Sequence, residues 1–198
     1  MIRRFPVIPT IIVAAAVALM IGLGIWQLQR AKWKEGLLAQ YAEAQKLPPI
    51  TWPTVPLRTD QLPLFRHATG VCLGPVAKRA VAGENLQGEP GFVQIVDCSA
   101  GAEGPGMSVE VGWSKNPNAQ VHWSGGPVSG VIAPDKRTRI RLVAASAPPG
   151  LEPSAPPSLN TIPNNHRSYA VQWFSFAAIA LIIYALALRK RMRQEPKP

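Results

Sequence analysis

An imidazole placed just ahead of a charge-free segment is the first group in this sequence that could do chemistry. His166 stands in Asn164-Asn165-His166-Arg167-Ser168-Tyr169. On a helix, His166, Tyr169, Ala170 and Trp173 follow i, i+3, i+4, i+7 and share one face. Far upstream, Trp26, Arg30, Trp33 and Leu37 follow i, i+4, i+7, i+11 and make a matching stripe. If the two helices approach each other, the imidazole faces aromatic surface and a cation. An amphipathic porphyrin needs that set: an axial nitrogen for iron, flat apolar surface for the ring, and Arg for propionates. A plainer reading, an interfacial histidine behind a helix-capping asparagine, fits the same spacing. Spacing leaves both open.

Other chemistry is thin. His67 and His122 have no second ligand or carboxylate at diagnostic spacing, and both read as structural or surface residues. There is no H-E-x-x-H, no G-x-S-x-G and no Gly-rich phosphate loop, so the chain does not read as an enzyme. His122-Trp123-Ser124-Gly125-Gly126 reads as a turn. Cys72 and Cys98 are the only cysteines, each near the end of a strand-like run. They do not form a metal-type pair with a neighbouring Cys or His. A disulfide, two buried thiols and one functional thiol all remain open.

The elements that would position His166 are membrane spans. A mean hydropathy of +0.06 fits a soluble segment averaged with apolar spans. Val7 to Ile25 carries no charge and, at 1.5 Å per residue, extends roughly 28 Å, close to a bilayer's hydrocarbon thickness. Its end lacks an A-x-A cleavage site, so it reads as an anchor rather than a removed signal. No Arg- and Ser-rich amphipathic leader precedes it. Tyr169 to Leu188 is charge-free again, and its large apolar residues each favour insertion by roughly 0.3–0.6 kcal/mol. The net charge of +10 is concentrated: seven of the 21 Lys and Arg lie in the two tails. That distribution is a topology signal and argues against a nucleic-acid partner. Basic tails on both sides of two spans place both termini in the cytoplasm and the centre outside it. A bacterial inner membrane is the expected location, with lipid as the surrounding partner.

Between the spans, Gln29 to Leu47 keeps a helical pattern that Pro48-Pro49 stops. Short strand-like runs follow at His67–Leu73, Arg79–Ala82, Phe92–Cys98, Met107–Trp113, Val128–Ile132 and Thr138–Ala144, separated by Gly and Pro turns. This punctuation predicts an antiparallel sheet curled into a small barrel or sandwich. Arg137, Arg139 and Arg141 alternate and should share one solvent-facing side. Residues 147–163 lack periodicity and read as a tether. The expected organisation is a cytoplasmic tail (1–6), a first transmembrane helix (7–28) and its helical extension (29–47). A periplasmic β-rich domain (48–146), a Pro-rich tether (147–168), a second transmembrane helix (169–188) and a basic tail (189–198) follow. The fold class is therefore a membrane protein of α+β type.

Two segments carry a resemblance. Leu23-Gly24-Ile25-Trp26-Gln27-Leu28-Gln29-Arg30, followed by Trp33-Lys34, is similar to the L-G-x-W-Q-x-x-R-x-x-W-K pattern of the Surfeit-locus-1 family. Asn165-His166-Arg167-Ser168-Tyr169-Ala170-Val171-Gln172-Trp173-Phe174 resembles that family's N-H-x-x-Y-A-x-x-W-F approach to its second span. Gly88 to Val96 resembles its G-x-P-G-Y-x-V strand, with Phe92 for Tyr. Val109 to Pro117 resembles its V-N-R-G-W-V-P segment, but Glu110-Val111 replace Asn-Arg. The resemblance implies a non-enzymatic assembly factor that helps install haem a into subunit I of an aa3-type cytochrome c oxidase. A haem a synthase is a further implied partner. It also implies His166 as a haem ligand, with Trp26, Arg30, Tyr169 and Trp173 around the cofactor. A membrane scaffold that stabilises an oxidase intermediate without touching haem is the competing expectation.

Overall fold

The computed structural model describes residues 6–55, 57–99 and 105–194. Two long helices lie at the ends of the described chain: α1 spans Val7–Ala44 and α2 spans His166–Gln194. Both are long and apolar enough to cross a membrane, and only 11% and 6% of their most apolar windows are buried. The core helix of a soluble protein would be covered. Here Ile11, Ile12, Leu19, Phe176, Ile182 and Ile183 are more than half exposed. Lipid is the solvent that accepts such a surface. Pro9 sits in the first turn of α1, where a missing N–H leaves no bond unmade. At 1.5 Å per residue α1 is about 57 Å long, nearly twice the hydrocarbon thickness. Its last turns are therefore built of polar sequence.

The described residues divide into two compact units. One joins α1 up to Leu37 with the chain from Ile162 onward; the other is Leu38–Thr161. Within the second unit Tyr41, near the end of α1, packs on Phe65 with ring centroids 4.9 Å apart.

Seven strands make the second unit: β1 Ile50–Thr51, β2 His67–Cys72, β3 Pro75–Glu84, β4 Pro90–Ser99, β5 Pro105–Ser114, β6 Gly126–Asp135 and β7 Arg139–Ala144. They form one sheet in the order β1-β2-β6-β7-β5-β4-β3. Four joins are antiparallel; β1–β2 and β5–β7 are parallel, which makes the sheet mixed. The sheet is strongly curled. Strands β2 and β4 are four strand spacings apart in the order, about 19 Å on a flat sheet. Yet Cys72 on β2 and Cys98 on β4 are joined by a disulfide with a Cα–Cα distance of 5.3 Å. Only two residues, Leu73 and Gly74, connect β2 to the far edge strand β3. The inner face of this roll holds the main core, with Trp52, Cys72, Val96, Cys98, Met107, Val109, Ile132 and Leu142 packed together.

The outer face of β3–β4–β5 carries a smaller apolar cluster of Val93, Ile95 and Trp113. Beside it three buried carboxylates meet arginines. Asp135 pairs with Arg79 at 2.9 Å, Glu110 with Arg141 at 2.6 Å, and Asp97 accepts from Ser108 at 2.6 Å. The three arginines therefore do not form a free solvated row. Arg137 lies in the β6–β7 turn, Arg139 has φ +71°, which breaks the alternation, and Arg141 is drawn onto Glu110. Beyond β7 the Pro-rich segment is fastened to the sheet. Glu152 and Trp113 exchange backbone bonds of 2.6 and 2.9 Å, and Asn85 bridges Ser154.

Candidate functional site

Helices α1 and α2 run antiparallel. Thr10 meets Tyr184 near one end, His166 meets Gln27, and Lys34 Nζ donates to Pro163 O near the other end. The buried positions are Val17, Gly24 and Ala31 on α1 and Ala170 and Ala177 on α2. Each set repeats every seven residues, the period of a seam between two packed helices. Small residues let the backbones come close, as is usual where lipid supplies no hydrophobic drive. At Gly24 the approach is so tight that an added Cβ would lie 2.6 Å from the Phe174 ring.

The seam bears on His166 directly. Its Nδ1 is 2.8 Å from Gln27 Oε1. With Nδ1–H as donor to the amide oxygen, the lone pair rests on Nε2, the arrangement of a histidine prepared to accept a metal. Gln27 belongs to the same heptad stripe as Gly24 and Ala31, so its side chain is brought to the imidazole by helix packing alone. Spacing of the other residues did not single it out. Two signals were available: a polar residue in a stripe otherwise made of small and apolar ones, and its place as the Gln of the L-G-x-W-Q pattern.

The aromatic stripe lies elsewhere on the wheel. At about 100° per residue, Arg30 is displaced roughly 100° from Ala31 in the seam of α1 and Trp26 and Trp33 roughly 160° from Gly24 and Ala31, while His166, Tyr169 and Trp173 lie about 40–100° from Ala170 in that of α2. Because the helices are antiparallel, both displacements lead to the same lateral side of the pair. Trp26, Trp33 and Tyr169 are accordingly half exposed or more. Arg30, His166, Tyr169 and Trp173 thus border one open flank of the helix pair and Trp26 and Trp33 lie towards the back of α1; the two stripes do not face each other across the seam. Leu37 continues the stripe at the end of this unit. The Arg30 guanidinium lies 4.6 Å over the Trp33 ring, a cation–π contact. Trp173 packs edge-on against Phe176 at 6.2 Å. Among the described residues Arg30 has no carboxylate partner, whereas Arg167 pairs with Glu35 at 2.9 Å.

The donor set fits a haem in kind: an imidazole with one ring nitrogen engaged by Gln27, aromatic surface on the same helix, and an Arg without a carboxylate partner among the described residues. No group of three or more His, Cys, Asp or Glu side chains placed to hold a metal ion occurs among the described residues. His67 and His122 are exposed on the β unit and take no part.

No curated protein matches the chain. The model of the SURF1 family matches residues 14–178, which include both helix segments and the whole sheet between them. With most of its 198 residues matched, this chain belongs to the SURF1 family, a family of cytochrome c oxidase assembly factors.

Proposed function

We propose that this protein assists delivery of haem a to subunit I of an aa3-type cytochrome c oxidase, holding the cofactor on the open flank of its two helices. The observation that carries this reading is the 2.8 Å bond between His166 Nδ1 and Gln27 Oε1. With Nδ1–H donating to Gln27, Nε2 would be the nitrogen left to hold the iron, already oriented by that bond. Tyr169 and Trp173 would offer ring surface, and Arg30 would take a propionate. When bound, the haem supplies a vacant iron coordination position for the imidazole; the protein's own part is to hold, orient and release. A flank that opens to hydrocarbon suits a cargo with a long isoprenoid tail. A haem a synthase would be the donor in this scheme.

The central unit would lie on the non-cytoplasmic side of a bacterial inner membrane. The Cys72–Cys98 bridge supports that placement, since disulfides persist in oxidising compartments. So does the clustering of Arg189, Lys190, Arg191 and Arg193 just past the apolar part of α2.

The test is an absorption spectrum of the detergent-purified full chain made alongside haem a synthesis. Wild type is expected to carry a Soret band, and His166→Ala to lose it while inserting and forming its disulfide normally. An unchanged Soret absorbance per protein in His166→Ala would remove the haem assignment.

A further inference from the structure

The far edge of the sheet points to a second working surface. Strand β3 is the terminal strand beyond β4, and its ten residues have no neighbour on the other side in the sheet order. In an antiparallel pair, alternate residues turn their N–H and C=O away from the partner strand. Here the phase is given by Glu84: its carbonyl accepts from Ala155 N at 2.9 Å, so it points away from β4. The register with β4 is unbroken from Ala77 to Glu84. Lys78, Ala80 and Ala82 therefore also direct their backbone groups outward, and among the described residues these find no backbone partner. Around them Ala80, Val81 and Ala82 are exposed in succession, on both faces of the strand at once. Natural edges are usually blunted by charge, proline or cover. Along this stretch both charges are engaged within the fold: Lys78 Nζ donates to Val121 O at 3.0 Å, and Arg79 pairs with Asp135 at 2.9 Å.

The chain itself demonstrates what this edge accepts. Its own strap pairs there: Asn85 bridges Ser154 in antiparallel sense, and Ala155 bonds Glu84. The strap then reaches Pro156 and Pro157, which have no N–H to continue the ladder. Pairing stops at Glu84, and no other described residue pairs with the rest of the edge.

We infer that β3 between Lys78 and Ala82 is a docking edge for an extended segment of a client polypeptide, added as an eighth strand. The unpaired backbone groups specify the chemistry, a main-chain ladder with side-chain contacts to small apolar residues. Size argues against a second copy as occupant. Five to seven residues of edge run roughly 20 Å and one strand spacing is about 4.8 Å, so the footprint is near 100 Å². A stable dimer needs about 800 Å² per partner. A short ladder suits a partner that must leave again. That the client is an oxidase subunit rests on the assembly reading above; the strand addition does not.

The test uses the full chain in membranes that make the oxidase, with a benzophenone amino acid replacing Val81 and, as a control, the still more exposed Val55. Irradiation is expected to give an adduct at position 81, absent at 55, that peptide mass spectrometry assigns to an oxidase subunit. Adding Ala80→Pro removes one outward N–H without touching the β4 ladder, as proline on an edge strand can. The adduct should then fall about tenfold, the loss expected when a bond worth about 1.4 kcal/mol is removed, with Tm and the Cys72–Cys98 bridge unchanged. Val81→Pro breaks a ladder bond to β4 and should lower Tm instead. An adduct only between copies of this chain, no adduct above the control, or a yield indifferent to Ala80→Pro would overturn the proposal. The Soret band of wild type is read separately, so loss of either reading leaves the other standing.

Discussion

At the scale of single residues, two side chains are held in states that can be tested. Gln27 engages the His166 imidazole, and metal-ligating histidines depend on such partners. Gln27→Leu keeps the volume and removes the bond. Haem a titrated into the purified variant should bind about 10–100-fold more weakly than into wild type, with the Soret maximum displaced. Unchanged affinity would mean that Gln27 only packs. Asp135 is held low by a different route. Burial alone would raise its pKa, but hydrogen bonds from Thr138 N–H and Oγ1, from Arg79 and from Arg137 N–H outweigh it and bring it from 3.8 to about 2. A folded pKa below the unfolded one stabilises the fold at pH values above the unfolded pKa. The contribution is complete above about pH 4 and disappears as pH falls through about 2. Near-ultraviolet circular dichroism against pH should show tertiary structure weakening across that window. In Asp135→Asn the same window should be flat, from a lower stability at neutral pH. The ion pairs at the helix ends belong to another class. Arg167–Glu35 is exposed, and its removal should change stability by less than about 1 kcal/mol.

At the scale of elements, the helix pair rests on small residues, and Gly24 is its closest point. A Leu there would drive the chains apart, since the first carbon already meets Phe174. Overpacking of this kind costs about 1–3 kcal/mol. Nitroxides on the exposed positions 12 and 182 should report a broadened, longer distance in Gly24→Leu. Gly22→Leu, where nothing lies within 4 Å, should leave the distance unchanged. The same residues explain how legible the site was. Spacing placed His166 with Tyr169 and Trp173, and Trp26 with Arg30 and Trp33, but not on the side of the helix they occupy. Aromatic stripes in water turn inward, whereas in lipid the large apolar residues face out and small ones form the seam. A periodicity cannot tell these apart without knowing where Gly24 and Ala31 go. Strands were more legible. All six strand-like runs lie within β2 to β7 or extend a residue past them, because Gly and Pro mark their ends in the sequence. The two-residue β1 escaped, enclosed between Pro49 and Pro53, since only its pairing with Ala68 and Thr69 makes it a strand. The parallel join of β5 to β7 was equally hidden: it follows from which strands meet in space, and no local pattern carries it.

At the scale of the whole molecule, the cysteines decide how the sheet is held closed. Residues 72 and 98 lie 26 apart in sequence and on strands that a flat sheet would separate. Both are almost wholly buried in the main core, beside Met107 and Val109. They therefore act as a clamp across the roll rather than as a reactive thiol pair. The sequence alone left their state open because thiols and a disulfide are equally at home at the ends of buried strands. In the chain-entropy view, closing a loop of this length stabilises the fold by about 3–4 kcal/mol. Cys72→Ala/Cys98→Ala should lose roughly that much in urea unfolding of the full chain in detergent. The slope of the transition should rise modestly, because the denatured chain without its cross-link exposes more surface. The thiol form made without an oxidising compartment should behave like the double variant. Wild type with the bridge formed should resist reductant until it unfolds, because neither cysteine sulfur is exposed. A wild-type chain whose cysteines are alkylated by a thiol reagent before any unfolding would sink this account of the clamp. The helix pair offers an internal control. The His166–Gln27 bond joins α1 to α2, so it and any Soret band that depends on it should survive loss of the disulfide. Loss of that band in the alanine double variant would instead reveal that the two units are coupled in function.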